Sequence, residues 1–226
     1  MTRPPLTGPP DCSKYAVSLG QVRQLTTADR AVSDLHRYLT SFGGAKFDQL
    51  ADRHRPDEFT TADFRAVGKL KVSVLLTARQ SLLGEARPEV RRLLGAIPGD
   101  LDIWDVEPAD YDSRLGPGSP AWQLWRLVYD MQAGARRAGR GVTAGKLLHA
   151  KRPRLIPIYD RAKIGKALSI DNGHFWEAIW YALRDPEVRS HLRDIQASVD
   201  QATGLSLLRV LDIITWMSQE PHRPAE

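Results

Sequence analysis

Apolar residues recur at helical spacing in segment after segment of this 226-residue chain, and this periodicity limits the possible folds more than any other feature. An amphipathic helix places an apolar residue at every third or fourth position, whereas a half-buried strand alternates apolar and polar residues. Val32, Leu35 and Leu39 follow the helical spacing near the start, and Leu208 and Leu211 follow it near the end. The sequence therefore predicts an all-α fold.

Helix start signals divide the periodic stretches into separate helices. Thr60 and Asp63 have the spacing of a capping box, which predicts that a helix begins there. Pro88 suits the first turn of a short helix, and Ser119-Pro120 suits the start of a long one. Residues 71–76 contain β-branched side chains, but we expect them to continue the helix that Thr60 begins.

The longest stretch without periodicity is rich in proline and glycine, which is typical of a connector. We expect a single helical domain over residues 15–218, built from two lobes with any ligand cleft between them. The predicted parts are a disordered leader, a first lobe, a connector, a second lobe and a loose tail, at residues 1–14, 15–95, 96–118, 119–218 and 219–226.

Composition excludes several classes of protein. The single cysteine, Cys12, cannot form an internal disulfide, and no two of the six histidines have metal-ligand spacing on one helix face. We therefore expect neither a metal nor another cofactor. No apolar run approaches the roughly 20 residues that span a bilayer, and the start lacks the apolar segment of a signal peptide. The expected location is the cytoplasm, without a membrane partner.

Positive charge is concentrated in residues 136–166. That segment has ten basic residues and one acidic residue, a net charge of +9, whereas the rest of the chain has a net charge of −4. Such a concentration favours a polyanionic partner, nucleic acid first and DNA above RNA. Two other interpretations remain open, namely a solvated helix face and a cluster paired with acids from elsewhere in the fold. The oligomeric state is not indicated.

Tryptophan is concentrated in the second half of the chain. Five of the six tryptophans lie on predicted helices at spacings of three or four residues, which is typical of core positions. We expect Trp125 and Trp176 to be buried. The alternative is that one or two of these rings line a cleft where a base could stack.

The basic segment contains the motif that could carry chemistry. Gly141-Val142-Thr143 is predicted to be a turn that leads into a short helix, and Pro153 is expected to end that helix. Residues 155–158 are expected to be extended and buried. Asp160 then stands at the N-terminus of the following helix.

Several motifs resemble an uncharacterised family of actinobacterial proteins, and the similarity covers most of the chain. The resemblance implies no particular activity for this chain, because it is to a family without a known function. The motifs are YLTSFGGAKF at 38–47, FTTADFRAV at 59–67, WxxWR at 122–126, KRPRLIPIYD at 151–160 and LLRVLDIITWM at 207–217.

The basic segment also resembles, in part, the helix-hairpin-helix DNA glycosylases. The resemblance implies that Gly141-Val142 is the hairpin turn, that Lys146 is the nucleophile, and that Pro157–Asp160 is the apolar strap ending in the catalytic acid. The second glycine of the family's hairpin turn is displaced in this chain to Gly145. The Leu-Pro pair that precedes the turn in the family is replaced here by Gly139-Arg140. Fewer residues separate Lys146 from Asp160 than separate the lysine from the aspartate in that family.

The chemistry implied by this resemblance is base excision. An amine among other cations is available for attack on a sugar carbon, and the carboxylate of Asp160 would stabilise the sugar cation. Each residue also has a structural alternative to its catalytic role: Asp160 as a helix N-cap, and Lys146 as a solvated helix lysine.

The leading hypothesis is a nucleic-acid-binding protein that acts through residues 136–166, with a glycosylase-like or damage-recognition activity. The alternative is a non-enzymatic helical interaction protein, such as a toxin–antitoxin or defence-module partner that binds an acidic protein. Catalytic roles are predicted for Lys146 and Asp160. Nucleic-acid contacts are predicted for Arg136, Arg137, Arg140, Lys151, Arg152, Arg154, Arg161 and Lys163.

Overall fold

A computed structural model describes residues 15–135, 137–170 and 174–221. Every regular element in these ranges is a helix, which confirms the predicted all-α class. None of the described helices combines the length and the apolar composition that crossing a membrane requires. The predicted leader at 1–14 and residues 222–226 of the predicted tail lie outside the described residues.

The helices divide between two compact units. The first unit, Gly43–Ile158, contains α3 Lys46–Leu50, α4 Thr61–Lys69, α5 Leu76–Leu83, α6 Arg87–Gly95, α7 Tyr111–Arg114, α8 Pro120–Met131 and α9 Arg137–Lys151. It also contains 3-10 helices at Gly43–Ala45, Ile103–Asp105 and Pro108–Asp110.

The second unit is discontinuous in sequence, because it consists of the described parts of Cys12–Phe42 and Tyr159–Glu226. This division differs from the predicted one, which separated two lobes at a connector over 96–118. Its helices are α1 Ala16–Thr26, α2 Ala31–Ser41, a π-helix Arg161–Gly165, α10 Phe175–Arg184, α11 Pro186–Ala197, a 3-10 helix Asp200–Ala202 and α12 Leu207–Met217.

In the first unit, α9 is the central helix and packs against α4 and α8. Ala144 and Leu147 on this helix are fully buried, and the helix ends at Lys151, before Pro153, as predicted. The predicted turn at Gly141-Val142-Thr143 is wrong, because these residues continue the helix. Burial of the second half of α9 outweighs the roughly 1 kcal/mol that each helical glycine costs.

The capping box of α4 is confirmed, with Thr60 as N-cap and Asp63 at the third position. The predicted continuation of this helix through residues 71–76 is wrong. α4 ends at Lys69, and Lys71 adopts a positive φ of 58°. The chain can leave the helix here because other side chains satisfy its main chain: Lys146 binds the carbonyl of Leu70, and Gln132 accepts a hydrogen bond from the next helix's N-cap.

In the second unit, α12 packs against α2, α11 and α1, and nearly all of its residues are buried. Arg209 on α12 is only 2% exposed, and it pairs with Asp212 and donates a hydrogen bond to the Tyr38 hydroxyl on α2. Trp180 is a true core residue at 1% exposure. Helices α8 and α11 begin with N-cap side chains, Ser119 and Asp185, followed by proline.

Candidate nucleic-acid interface

Lys151 is fully buried inside the first unit rather than placed on a surface. Its amine lies 2.6 Å from the carboxylate of Asp63, and neither side chain is exposed. The amine also donates hydrogen bonds to the carbonyls of Asp52, at 2.7 Å, and Arg55, at 3.1 Å. Burial alone would raise the pKa of Asp52, but a hydrogen bond from Thr60 and the charge of Lys151 outweigh it and lower that pKa.

Arg152 is buried as well, with 2% of its surface exposed. Its guanidinium donates to the carbonyls of Ile97, at 2.6 Å, and Pro56, at 2.9 Å, and also to that of Leu94. It pairs with Asp57 at 2.9 Å. Burial lowers the pKa of this guanidinium, and the hydrogen bond and charge of Asp57 oppose that effect.

Arg154 completes a clasp that we define as Lys151, Arg152 and Arg154. Its side chain is 48% exposed and pairs with Asp102, while its carbonyl accepts a hydrogen bond from the main chain of Ile103. Lys151 and Arg152, both predicted to contact phosphates, are almost completely buried and bonded to protein oxygens. Of the interpretations left open by the charge count, pairing with acids from elsewhere in the fold describes this motif.

Lys146 is also buried, at 6% exposure. Its amine donates a 2.9 Å hydrogen bond to the carbonyl of Leu70, the C-cap residue of α4. A cation at this position satisfies a terminal carbonyl and complements the negative end of the helix dipole. Lys146 is therefore a buried helix-capping lysine, not the solvated lysine that was the alternative to a nucleophile.

Asp160 lies at the helix N-terminus, as predicted. Its carboxylate accepts hydrogen bonds from the main-chain N–H groups of Ala162, at 3.0 Å, and Lys163, at 3.3 Å, and so caps the π-helix. Lys146 belongs to the first unit and Asp160 to the second. Each of the two predicted catalytic residues thus has a structural role within its own unit.

The other predicted contacts fall into different environments. Arg140 is partly buried and donates to the carbonyl of Ala135 at 3.1 Å. Arg161 is exposed, and Lys163 pairs with Glu220 at 2.7 Å. Arg136 lies outside the described residues, as does the side chain of Arg137.

Two segments without a single acidic residue meet in the first unit. One spans 64–84 with four cations, and the other spans 131–159 with seven. The Lys146–Leu70 hydrogen bond joins them, and so does the 3.1 Å bond from the main chain of Leu75 to the side chain of Gln132. Only the second segment was singled out by the charge count. The first was missed because its four cations are spread over 21 residues.

We call four cations of these segments the basic face: the exposed Arg65, Lys69 and Lys71 and the partly buried Arg140. The first three are exposed and make no ion pair with any residue in the described ranges. Lys69 and Lys71 flank Leu70, the residue bound by Lys146. At about 100° per residue, Arg140 lies about 120° around α9 from Lys146.

An aromatic ladder runs along α8, formed by Trp122, Trp125 and Tyr129. The ring centroids are 5.3 Å apart for the first pair and 5.1 Å for the second, with interplanar angles of 29° and 25°. All three rings are partly exposed, so the prediction that Trp125 is buried is corrected, and Trp176 is likewise only partly buried. A Cβ at Gly141 would lie 3.2 Å from the Trp125 ring, so the ladder borders α9.

A second polar cluster, which sequence reasoning missed, lies in the second unit. The hydroxyl of Tyr15 donates to the buried carboxylate of Glu177, and Nδ1 of His174 lies 3.2 Å from the same carboxylate oxygen. These bonds hold the start of α1 against α10. Among the described residues, no group of three or more His, Cys, Asp or Glu side chains could hold a metal ion.

The fold and the site define an all-α protein of two helical units, the first of which carries both the basic face and the aromatic ladder. The chain belongs to the family of unknown function DUF6308, whose model matches residues 31–219. This agrees with the resemblance to an uncharacterised family, and no resemblance to glycosylases is found. Comparisons with curated proteins and with solved structures give no significant match.

Proposed function

We propose that this protein binds nucleic acid through the basic face of its first unit. The observation that carries the proposal is the meeting of the acid-free segments 64–84 and 131–159. Three of the cations there are exposed and have no acidic partner among the described residues. Because no carboxylate in either segment offsets them, the face attracts a polyanion.

The proposed footprint differs from the one that the charge count favours. Cations that contact phosphates must exchange water and counterions for phosphate oxygens, which requires exposure to solvent. The clasp residues Lys151 and Arg152 are buried and saturated with protein partners, whereas Lys69 and Lys71 are exposed. The interface therefore centres on the end of α4 and the start of α9.

We do not extend the proposal to base excision. A lyase needs a lysine amine that reaches the sugar, and the amine of Lys146 is held on the carbonyl of Leu70 in a buried position. The carboxylate of Asp160 is engaged by two main-chain N–H groups. Both side chains therefore have structural roles: Lys146 binds the C-cap carbonyl of α4, and Asp160 caps the π-helix.

The test is the salt dependence of DNA affinity, measured by fluorescence anisotropy with a labelled 20-nucleotide DNA. We expect the triple variant Arg65→Ala, Lys69→Ala, Lys71→Ala to bind more weakly. Its plot of log Kd against log salt should flatten by up to about three units, roughly one for each lost phosphate contact. Circular dichroism should be unchanged, because these side chains are exposed.

A matched control removes the same amount of charge elsewhere. Arg91, Arg114 and Arg193 are exposed and lie outside both acid-free segments. Their triple alanine variant should keep the wild-type slope. Equal slopes in all three proteins would contradict the basic face as the footprint. If wild type binds no nucleic acid at low salt yet captures an acidic protein, the interaction-protein alternative replaces the proposal.

A further inference from the structure

We propose that the nucleic acid bound at the basic face is single-stranded and that its unpaired bases stack on the aromatic ladder. This inference rests on the proposed function and adds the strandedness of the ligand. A site for single strands combines cations that follow the phosphates with aromatic rings that accept the bases. In the first unit the rings lie on α8, which packs against α9, and α9 carries Arg140 and packs in turn against α4, the helix of Arg65 and Lys69.

The ladder is placed at the edge of the core, not inside it. Ala121, Leu124 and Val128 form the core side of α8, and each is 0% exposed. The ladder rings stand at positions spaced by three and four residues on a neighbouring side of the same helix, and each keeps part of its surface in solvent. Burial of the core is therefore already achieved by smaller side chains.

The near-parallel rings give the ladder a direction. Interplanar angles of 29° and 25° align the three π-faces along α8, so a base that stacks on the end ring continues the series. Every base has a π-face, so such stacking tolerates any sequence. In a duplex both faces of each base are covered by neighbouring bases, and an aromatic ring reaches them only after unstacking.

Cations near the ladder supply the phosphate contacts. The guanidinium of Arg126 lies 5.8 Å from the centroid of Tyr129, and its partner Asp130 is in an exposed pair at the i, i+4 spacing. Exposed pairs of this type contribute little, so Arg126 can exchange its carboxylate for a phosphate. Arg140 precedes Gly141, the residue that borders Trp125, and thus links the ladder to the basic face.

The test compares three labelled ligands of equal length with the full chain: a 15-nucleotide oligo-dT, a 15-base-pair duplex, and an abasic 15-mer that keeps the phosphates but has no bases. We expect the oligo-dT to bind about tenfold or more tightly than the abasic strand, because stacking of several bases is lost in the latter. Tryptophan fluorescence should be quenched by oligo-dT and unchanged by the abasic strand.

Variants at Trp122 separate stacking from folding. Trp122→Leu should lose about tenfold in oligo-dT affinity and leave the affinity for the abasic strand unchanged, whereas Trp122→Phe should keep most of the affinity because it retains a π-face. Trp104→Leu is the matched control, since Trp104 is also partly exposed but lies outside α8 and α9. Thermal melts confirm that each variant folds.

The outcomes of the two proposals are distinguishable. Equal affinity for oligo-dT and the abasic strand, with the salt slope still dependent on Lys69 and Lys71, overturns base stacking and leaves the proposed function intact. Preference for the duplex also overturns single-strand binding alone. Absence of binding to all three ligands overturns both.

Discussion

Several cations of the basic segment are buried and bonded to protein groups, so the charge that the sequence contains differs from the charge that the surface exposes. Lys146, Lys151 and Arg152 together place three positive charges inside the first unit, each on carbonyl or carboxylate oxygens. Unpaired burial of such groups is costly, and their hydrogen bonds offset that cost. A segment with a net charge of +9 therefore presents much less charge to solvent than its sequence suggests.

Lys146 offers a prediction at this scale that separates helix capping from catalysis. Replacing it with methionine keeps the apolar stem but leaves the partly buried carbonyl of Leu70 without its donor, which should lower the free energy of unfolding by about 1–3 kcal/mol. A urea melt measures the loss.

The same residue is tested chemically with DNA that contains an abasic site, treated with borohydride. We expect wild type to give no trapped adduct, because Lys146 is buried and its amine is bonded to the carbonyl of Leu70. An adduct that disappears in Lys146→Met would instead establish Lys146 as a lyase nucleophile, as the helix-hairpin-helix resemblance implies.

The elements that the sequence predicts well are those whose ends are fixed locally. The capping box of Thr60 and Asp63 and the proline after Ser119 act within one turn, so their patterns suffice to place α4 and α8. The break after α4 depends on Lys146, which lies 76 residues away from Leu70. No local pattern contains that information.

The glycines of α9 led to a wrong prediction of a turn for a related reason. Gly141 and Gly145 are typical of a turn when read alone, yet both lie in one continuous helix. The choice is made by the partners of α9, because Trp125 approaches Gly141 closely and the following residues are buried. Tertiary packing overrides propensity here.

Substitution of Gly145 tests the continuous helix. A Cβ at this position meets nothing within 4 Å, and alanine is favoured over glycine inside a helix by about 1 kcal/mol. Gly145→Ala should therefore stabilise the protein by about 0.5–1 kcal/mol in a thermal or urea melt. Gly141→Val, which places its Cβ close to Trp125, is the opposing control and should destabilise. Destabilisation by alanine at 145 would favour the hairpin turn.

At the scale of the whole molecule, the two units differ in how the chain builds them. Among the described residues, the first unit is the continuous stretch Gly43–Ile158, whereas the second joins the residues up to Phe42 to those from Tyr159 onward. The basic face, the aromatic ladder and the clasp all belong to the continuous unit. The basic segment found in the sequence, residues 136–166, lies mostly in this unit and ends in the second. The sequence did not show which of its cations are exposed, because burial depends on contacts between residues 50 to 100 positions apart.

A fragment of residues 43–158 is therefore expected to fold alone and to keep the salt-dependent binding of DNA. Its central helix α9 packs against α4 and α8, and the fragment contains both. Circular dichroism and a melting curve check folding, and anisotropy checks binding. A fragment that folds cooperatively but does not bind DNA would place the footprint in the second unit, where Arg161 and Lys166 are exposed.

The bonding of the clasp also predicts which of its positions tolerate substitution. Arg152 binds the main-chain carbonyls of Pro56, Leu94 and Ile97, and a carbonyl is present whatever side chain occupies those positions. Substitutions there can leave the guanidinium bonds in place. Arg152 itself has no equivalent, because lysine lacks the planar fork of five donors. A variant library of this chain should tolerate many residues at the exposed position 56 and almost none at 152, whereas packing of the buried side chains restricts positions 94 and 97.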